Sequence, residues 1–192
     1  MAFTSCGNCI NAATLAGLKL DCDLNFGGIS EVFIASYDPD MYTLTGASTA
    51  VTAVTINNAA AVSGIKSGTT WYHYCLKKNT SSLSSAGARG DNDALVITNT
   101  LNLVFKKMDT AKRLEVQALS NADVCVVVHD KNDNYFALGA TDSVRMGDSE
   151  GVTGVQKTDA NQYSINLVSE EDVWPLPLTA AAVTALKGLV SE

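Results

Sequence analysis

Ala94-Leu-Val-Ile-Thr-Asn-Thr-Leu-Asn-Leu-Val-Phe-Lys106 is the stretch on which the fold class turns. Leu95, Ile97, Leu101, Leu103 and Phe105 fall on one side of an extended chain and Thr98, Thr100 and Asn102 on the other, the period-two pattern of a half-buried strand. Upstream, Thr69–Lys78 reads as a second strand, with Tyr72, Tyr74 and Leu76 on one face and His73 and Cys75 on the other. Between them, Asn79–Asp93 is rich in serine and glycine, and Leu83 and Arg89 are its only large side chains. That composition predicts a long, exposed, flexible connection, and two strands flanking it imply an extended hairpin that projects unless another subunit covers it. Ser81, Ser82, Leu83, Ser84, Ser85, Arg89 and Asp91 are the candidate inter-subunit residues of this hairpin loop. With so little core-forming side chain, loss of Ser81–Gly90 is expected to leave the domain folded and to block polymerisation.

The rest of the chain extends the β reading. Residues 1–29 mix small and polar types and form an expected N-terminal arm, with the fold proper over residues 30–192 as a single domain. Ser30–Tyr37 alternates as a strand, and Asp38-Pro-Asp40 marks a turn. Thr43–Val62 predicts a weak strand pair turning at Asn57 and Asn58. Asp109 can cap a helix over Thr110–Ser120 with Ala111, Leu114 and Ala118 on its inner face, although Leu114, Val116 and Ala118 also alternate as a half-buried strand would. Val124–Val128, a polar turn over Asp130–Asn134 and Tyr135–Leu138 read as a hairpin. Gly147, Gly151 and Gly154 indicate a loop-rich stretch before a final strand around Tyr163–Leu167, and Pro175 and Pro177 end the sheet. Thr179 can cap a short C-terminal helix with Val183, Leu186 and Val190 on one face. The fold class is therefore mainly β with a minor α part: a β-sandwich or open barrel with a long protruding hairpin, one packed helix and a short C-terminal helix.

Composition narrows the function. A chain of 192 residues with 46% hydrophobic and 17% charged content can bury one core. The formal charge of −7 disfavours condensation on a phosphate backbone and suits a surface past which DNA slides. Cys6, Cys9, Cys22, Cys75 and Cys125 show no disulfide framework, which points to a reducing compartment. Met1–Ile10 lacks the features of a secretory signal, and no stretch approaches the roughly 20 apolar residues of a membrane span.

Tests for chemistry return little. Cys6 and Cys9 form a lone C-x-x-C, with no second ligand pair at zinc spacing. Asp130, Asn132 and Asn134 match the first positions of a calcium loop, but Tyr135 replaces its glycine and Thr141 its glutamate, so a polar hairpin turn explains them. His73 and His129 lie within strands and fit no nucleophile motif. Arg89-Gly90-Asp91 reads as a soluble loop, and neither glycine cluster has phosphate-loop spacing. No catalytic residue, cofactor or metal is assigned, and the chain is expected to be non-enzymatic.

From Met108 onward the chain resembles tail tube subunits of tailed phages, particularly those of gut Bacteroidetes phages. The resemblance rests on Met108–Leu119, Val124–Tyr135, Leu138-Gly139, Ala160–Leu167 and the acidic Ser169–Asp172, with Gly27–Phe33 upstream. In that family a glycine often follows the asparagine of the turn, whereas Asp133-Asn134 stands here. The resemblance implies a small β-sandwich or open barrel with one helix, hexameric rings stacked into a tube, and long hairpins that line the lumen and reach the next ring. It also implies manufacture in the bacterial host cytoplasm, residence in the virion tail, other tail or connector proteins as partners, and passage of DNA without specific binding. The rival expectations are a head-to-tail adaptor, tail hub or capsid-decoration protein, and a soluble β-rich binding module.

Overall fold

The computed structural model describes residues 26–46, 59–91 and 94–191. Its largest sheet is centred on β1 (Ile29–Ser36), which pairs antiparallel with β7 (Val124–Asp130) on one side and β4 (Trp71–Cys75) on the other. Beyond β7 lie β8 (Tyr135–Leu138) and the two-residue β11 (Leu176–Pro177); beyond β4 the two-residue β12 (Val190–Ser191) runs parallel. A second, four-stranded antiparallel sheet has the order β5 (Ser82–Arg89), β6 (Leu95–Lys106), β10 (Gln162–Glu171) and β9 (Arg145–Val152). A third sheet pairs β2 (Tyr42–Gly46) with β3 (Ala59–Ile65). The protein is mainly β, as the alternation of Ala94–Lys106 leads one to expect.

The six-stranded sheet is the middle layer. Val32, Ile34, Val124, Val126 and Val128 pack on Leu101, Leu103, Ile165 and Leu167 of the four-stranded sheet. On the reverse face Phe33, Trp71, Cys125 and Val127 pack on Leu186 of the C-terminal helix, with Tyr42 and Ile65 from the two-stranded sheet. Both faces of β7 are therefore covered, which is why Val124–Val128 carries an unbroken apolar run instead of an alternation.

Helix α1 (Thr110–Ser120) starts where Asp109 accepts from the Lys112 backbone N–H at 2.9 Å. Its buried side differs from the expected one. Leu119 is buried and Val116 half-buried against the core, whereas Leu114 is 56% exposed and Ala111 and Ala118 face solvent. Helix α2 (Ala180–Leu189) is capped by Thr179, which accepts from Ala182 N, and it buries Ala182 and Leu186 with Val183 and Val190 at the margin.

Three further expectations are corrected. The connection Asn79–Asp93 is not a flexible loop: Ser82–Arg89 is a strand, and β6 forms its hairpin with β5 while β4 belongs to the other sheet. Gly147 and Gly151 lie inside β9, and of the three glycines of that stretch only Gly154 lies outside the strand, at φ 69°. β10 is not the last strand, since Pro177 lies in β11, at an edge where its missing N–H costs no ladder bond. The turn at Asn57 and Asn58 and the expected arm up to residue 25 lie outside the described residues.

Candidate functional site

The residues singled out between Ser81 and Asp91 form one edge of the four-stranded sheet. Ser81 is buried ahead of β5, where its Oγ accepts from Val104 N at 3.2 Å. Leu83 packs against the core, and Ser85 on the same face is half-buried. Ser82, Ser84, Ala86 and Ala88 point to solvent. Arg89 closes the ladder opposite Leu95, and Asp91 lies in the connecting turn, where Gly90 N bonds Ala94 O at 3.0 Å.

Little in the β5 side chains favours a strand; serine, alanine and glycine lack the branched or aromatic groups that fill a pleated surface. The backbone ladder supplies the order instead. Eight successive pairs, from Ser82 with Asn102 to Arg89 with Leu95, lock β5 to the strongly patterned β6. Beyond Ile97, the last β6 residue to pair with β10, Val96 and Leu95 continue with β5 alone, so the hairpin tip overhangs the sheet. Leu95, Val96 and Trp174 are large and exposed there. Trp174 lies over the tip, close enough that a Cβ on Gly87 would stand 3.5 Å from its Cζ2.

On its outer side β5 has no strand partner among the described residues. It is about 27 Å long at 3.4 Å per residue, and from Ser82 to Ala88 it has no charge, no proline and no register shift against β6. Such an edge is a template for another strand. The remaining edges of the two larger sheets are protected. β11 and β12 have two residues each, and β11 contains Pro177. β9 carries Arg145, Asp148 and Glu150, and the ladder between it and β10 is broken by a register shift between Ile165 and Leu167. Arg145 is further committed to Asp123, at 2.7 Å and 3.1 Å, a hydrogen-bonded pairing that holds its guanidinium above the ordinary range.

The chemistry-bearing side chains lie elsewhere. His129 Nδ1 and His73 Nε2 approach Glu31 Oε2 at 3.3 Å and 3.7 Å, and the rings stack on Tyr135 and Phe33 respectively. Among the described residues no group of three His, Cys, Asp or Glu side chains is arranged to hold a metal ion. Cys6, Cys9 and Cys22 lie outside the described residues. Asp130 serves its own turn, with Oδ1 accepting from the backbone N–H groups of Asn132 and Asn134 at 2.8 Å and 2.7 Å.

Sequence reasoning missed Glu171, which it took as one of an acidic run. This carboxylate is 4% exposed at the end of β10. Its Oε1 accepts from Gly139 N at 3.0 Å, Ser169 Oγ at 3.0 Å and Asn99 Nδ2 at 3.3 Å, and its Oε2 accepts from Ala140 N at 3.1 Å. It thereby ties the four-stranded sheet, just below the hairpin tip, to the end of β8. No protein-family model, curated protein or solved structure matches the chain.

Proposed function

We propose that the protein is a non-enzymatic, self-assembling virion subunit that builds a phage tail tube, with β5 of each copy joining a neighbour's sheet as rings close. The observation that carries this reading is the unprotected β5 edge, long, proline-free and without a charge from Ser82 to Ala88, in a protein whose other large-sheet edges among the described residues are short or charged. The overhanging tip of the β5–β6 hairpin gives each copy a feature that extends beyond its own sheet, and the net charge of −7 suits a conduit for DNA. The resemblance of Met108–Asp172 to tail tube subunits supports the same assignment.

Guarding the edge tests the proposal. Ser84→Lys with Ala86→Lys places two charges on exposed positions of β5, where a surface substitution alters stability by only about 0.5 kcal/mol. Negative-stain microscopy over a concentration series, with light scattering, is expected to show rings or tubes for the natural sequence and single copies for the double variant, with unchanged circular dichroism. Assembly of the double variant like the natural sequence would remove β5 from the interface. A natural sequence that stays monomeric throughout would turn the reading to a decoration, adaptor or binding-module role.

A further inference from the structure

The turn that joins β9 to β10, residues 153–161, holds one apolar side chain out in water. Asp159 Oδ2 accepts from the backbone N–H groups of Gln156 and Val155, each at 2.8 Å, and these bonds hold its carboxyl below the ordinary range. Asp159 N in turn bonds Gln156 O at 3.0 Å. Gly154 adopts a left-handed φ of 69° there, and a Cβ on it would stand 2.4 Å from that of Asp159, so only glycine admits the reversal. The turn is therefore preorganised, and Val155 at its tip is 98% exposed, the most exposed large hydrophobic side chain among the described residues.

A hollow lies at the opposite edge of the four-stranded sheet, beside the start of β5. Ile29, Leu83, Val128 and Phe136 line a crevice of about 290 Å³, with Asp130 and Asn132 in its wall. That wall is fixed before any partner arrives. Asn132 Oδ1 accepts from Phe26 N at 2.8 Å and Asn132 Nδ2 donates to Phe26 O at 3.1 Å, while Lys131 Nζ donates to Gly27 O at 3.0 Å and Asn79 Oδ1 at 2.6 Å. Ser82 and Leu83 belong to β5, so the crevice adjoins the edge that has no strand partner among the described residues.

β5, β6, β10 and β9 are joined by three antiparallel pairings, so β9 runs opposite to β5. A rotation about an axis along the strands keeps that relation and sets β9 of one copy antiparallel to β5 of the next. Overlapped along their eight residues, the two strands bring the end of β9 to the start of β5, and the turn after Val152 then lies beside Ser82 at the crevice. We infer that Val155 of one copy seats in the crevice beside β5 of the next, and that this contact selects the register in which the two edges pair. It rests on the ring reading and supplies what β5 lacks. A strand of serine, alanine and glycine specifies its register weakly, because a slip of two residues keeps every side chain on its face. An apolar knob in a preformed hollow distinguishes one register from the others. Charge fits the same approach. Lys157, two residues beyond Val155, is exposed with no ion pair among the described residues. Asp130 in the crevice wall is bonded by Asn132 and Asn134, with no cation at its carboxylate among the described residues.

Changing the knob and the hollow separately tests this. Val155→Asp puts a charge on the knob, and Gly27→Leu adds a side chain beside the crevice at a position where a Cβ meets nothing within 4 Å. Both positions are exposed, so each variant is expected to keep the circular dichroism of the natural sequence. Each is expected to raise the protein concentration needed for rings about tenfold or more, read by sedimentation and negative-stain microscopy, whereas Val155→Ile should assemble like the natural sequence. Placement is read directly by mixing Val155→Cys copies with Gly27→Cys copies, both carrying Cys75→Ser, and treating the rings with a short bismaleimide. Peptide mapping is expected to find position 155 of one copy linked to position 27 of another. Rings of Val155→Asp that form like those of the natural sequence, or rings in which positions 155 and 27 do not link, would overturn the inference and leave the ring reading intact. Absence of rings from the natural sequence would remove the ring reading and this inference with it.

Discussion

Replacing Glu171 with alanine is expected to cost about 3–4 kcal/mol of stability, and the figure follows from what its carboxylate holds. The substitution leaves the buried Gly139 N–H and the half-buried Ala140 N–H without their acceptor and strips one partner from Asn99 and Ser169. A buried donor left unsatisfied costs roughly 1–3 kcal/mol. Asn99 Nδ2 retains Ser169 Oγ at 3.2 Å, so the two backbone donors dominate. Removing a desolvated carboxylate returns part of that cost, which puts the net in the middle of the range. Gly139 cannot readily turn its N–H elsewhere: it sits at φ 83°, and a Cβ there would meet Val124 O at 3.2 Å, so the local backbone is confined. For a domain of this size about 1 kcal/mol corresponds to roughly 2–4 °C, so the melting temperature should fall by about 10 °C. The assay is urea unfolding followed by circular dichroism, with the slope compared between the variant and the natural sequence to confirm an unchanged denatured state. A loss below about 1 kcal/mol at equal slope would refute the reasoning, because the donors would then have found other acceptors.

Burial pushes the Cys125 thiol up to about 11, so its thiol form is favoured by folding; this contribution is complete below the ordinary value of 9.0 and disappears as pH rises towards 11. Peptide-resolved iodoacetamide labelling at pH 8 is expected to modify the exposed Cys75 in the folded protein and Cys125 only in urea. On α1, Leu114→Gln is expected to change stability by less than about 0.5 kcal/mol, whereas Leu119→Ala should cost about 2–4 kcal/mol, a contrast that equilibrium unfolding measures directly.

What was legible in the sequence was whatever its own side chains decide. β6 and β10 bury one face against the middle sheet, so Leu101, Leu103, Ile165 and Leu167 print their alternation on the chain. The Asp109 and Thr179 caps and the Asp130–Asn134 turn depend on neighbours within a few residues, and they too could be read. β5 and β9 could not, because serine, glycine and alanine leave no pattern and the order comes from ladders to β6 and β10. The α1 face failed for a related reason. Helical spacing permits 111, 114 and 118 or 112, 116 and 119, and only the approach of the middle sheet selects Val116 and Leu119. The candidate residues stand out by their odd composition while their conformation does not follow from it, and deletion of Ser81–Gly90 would remove an entire edge strand together with the buried Ser81 contact. Glu171 was hidden because nothing in Ser169-Glu-Glu-Asp172 distinguishes a buried carboxylate from its exposed neighbours.

The two long edges of the four-stranded sheet also bear on how the proposed ring would close. β5 paired with another β5 across a two-fold axis would end at two copies, whereas a ring needs β5 to meet a different edge. β11 and β12 are too short to match it, but β9 has the same eight residues. Asp148 and Glu150 are two positions apart and so project from the same face, which lets the β9 backbone pair while both carboxylates stay in water. Antiparallel pairing of β9 with itself would bring those carboxylates towards their copies and is opposed, whereas the solvent-facing positions Ser82, Ser84, Ala86 and Ala88 of β5 carry no charge. In the proposed assembly the charges on β9 would act selectively, opposing self-pairing while leaving the edge open to β5. An unguarded strand on one side and a selectively guarded strand on the other favour repeated sideways addition in one rotational sense, the condition for a ring.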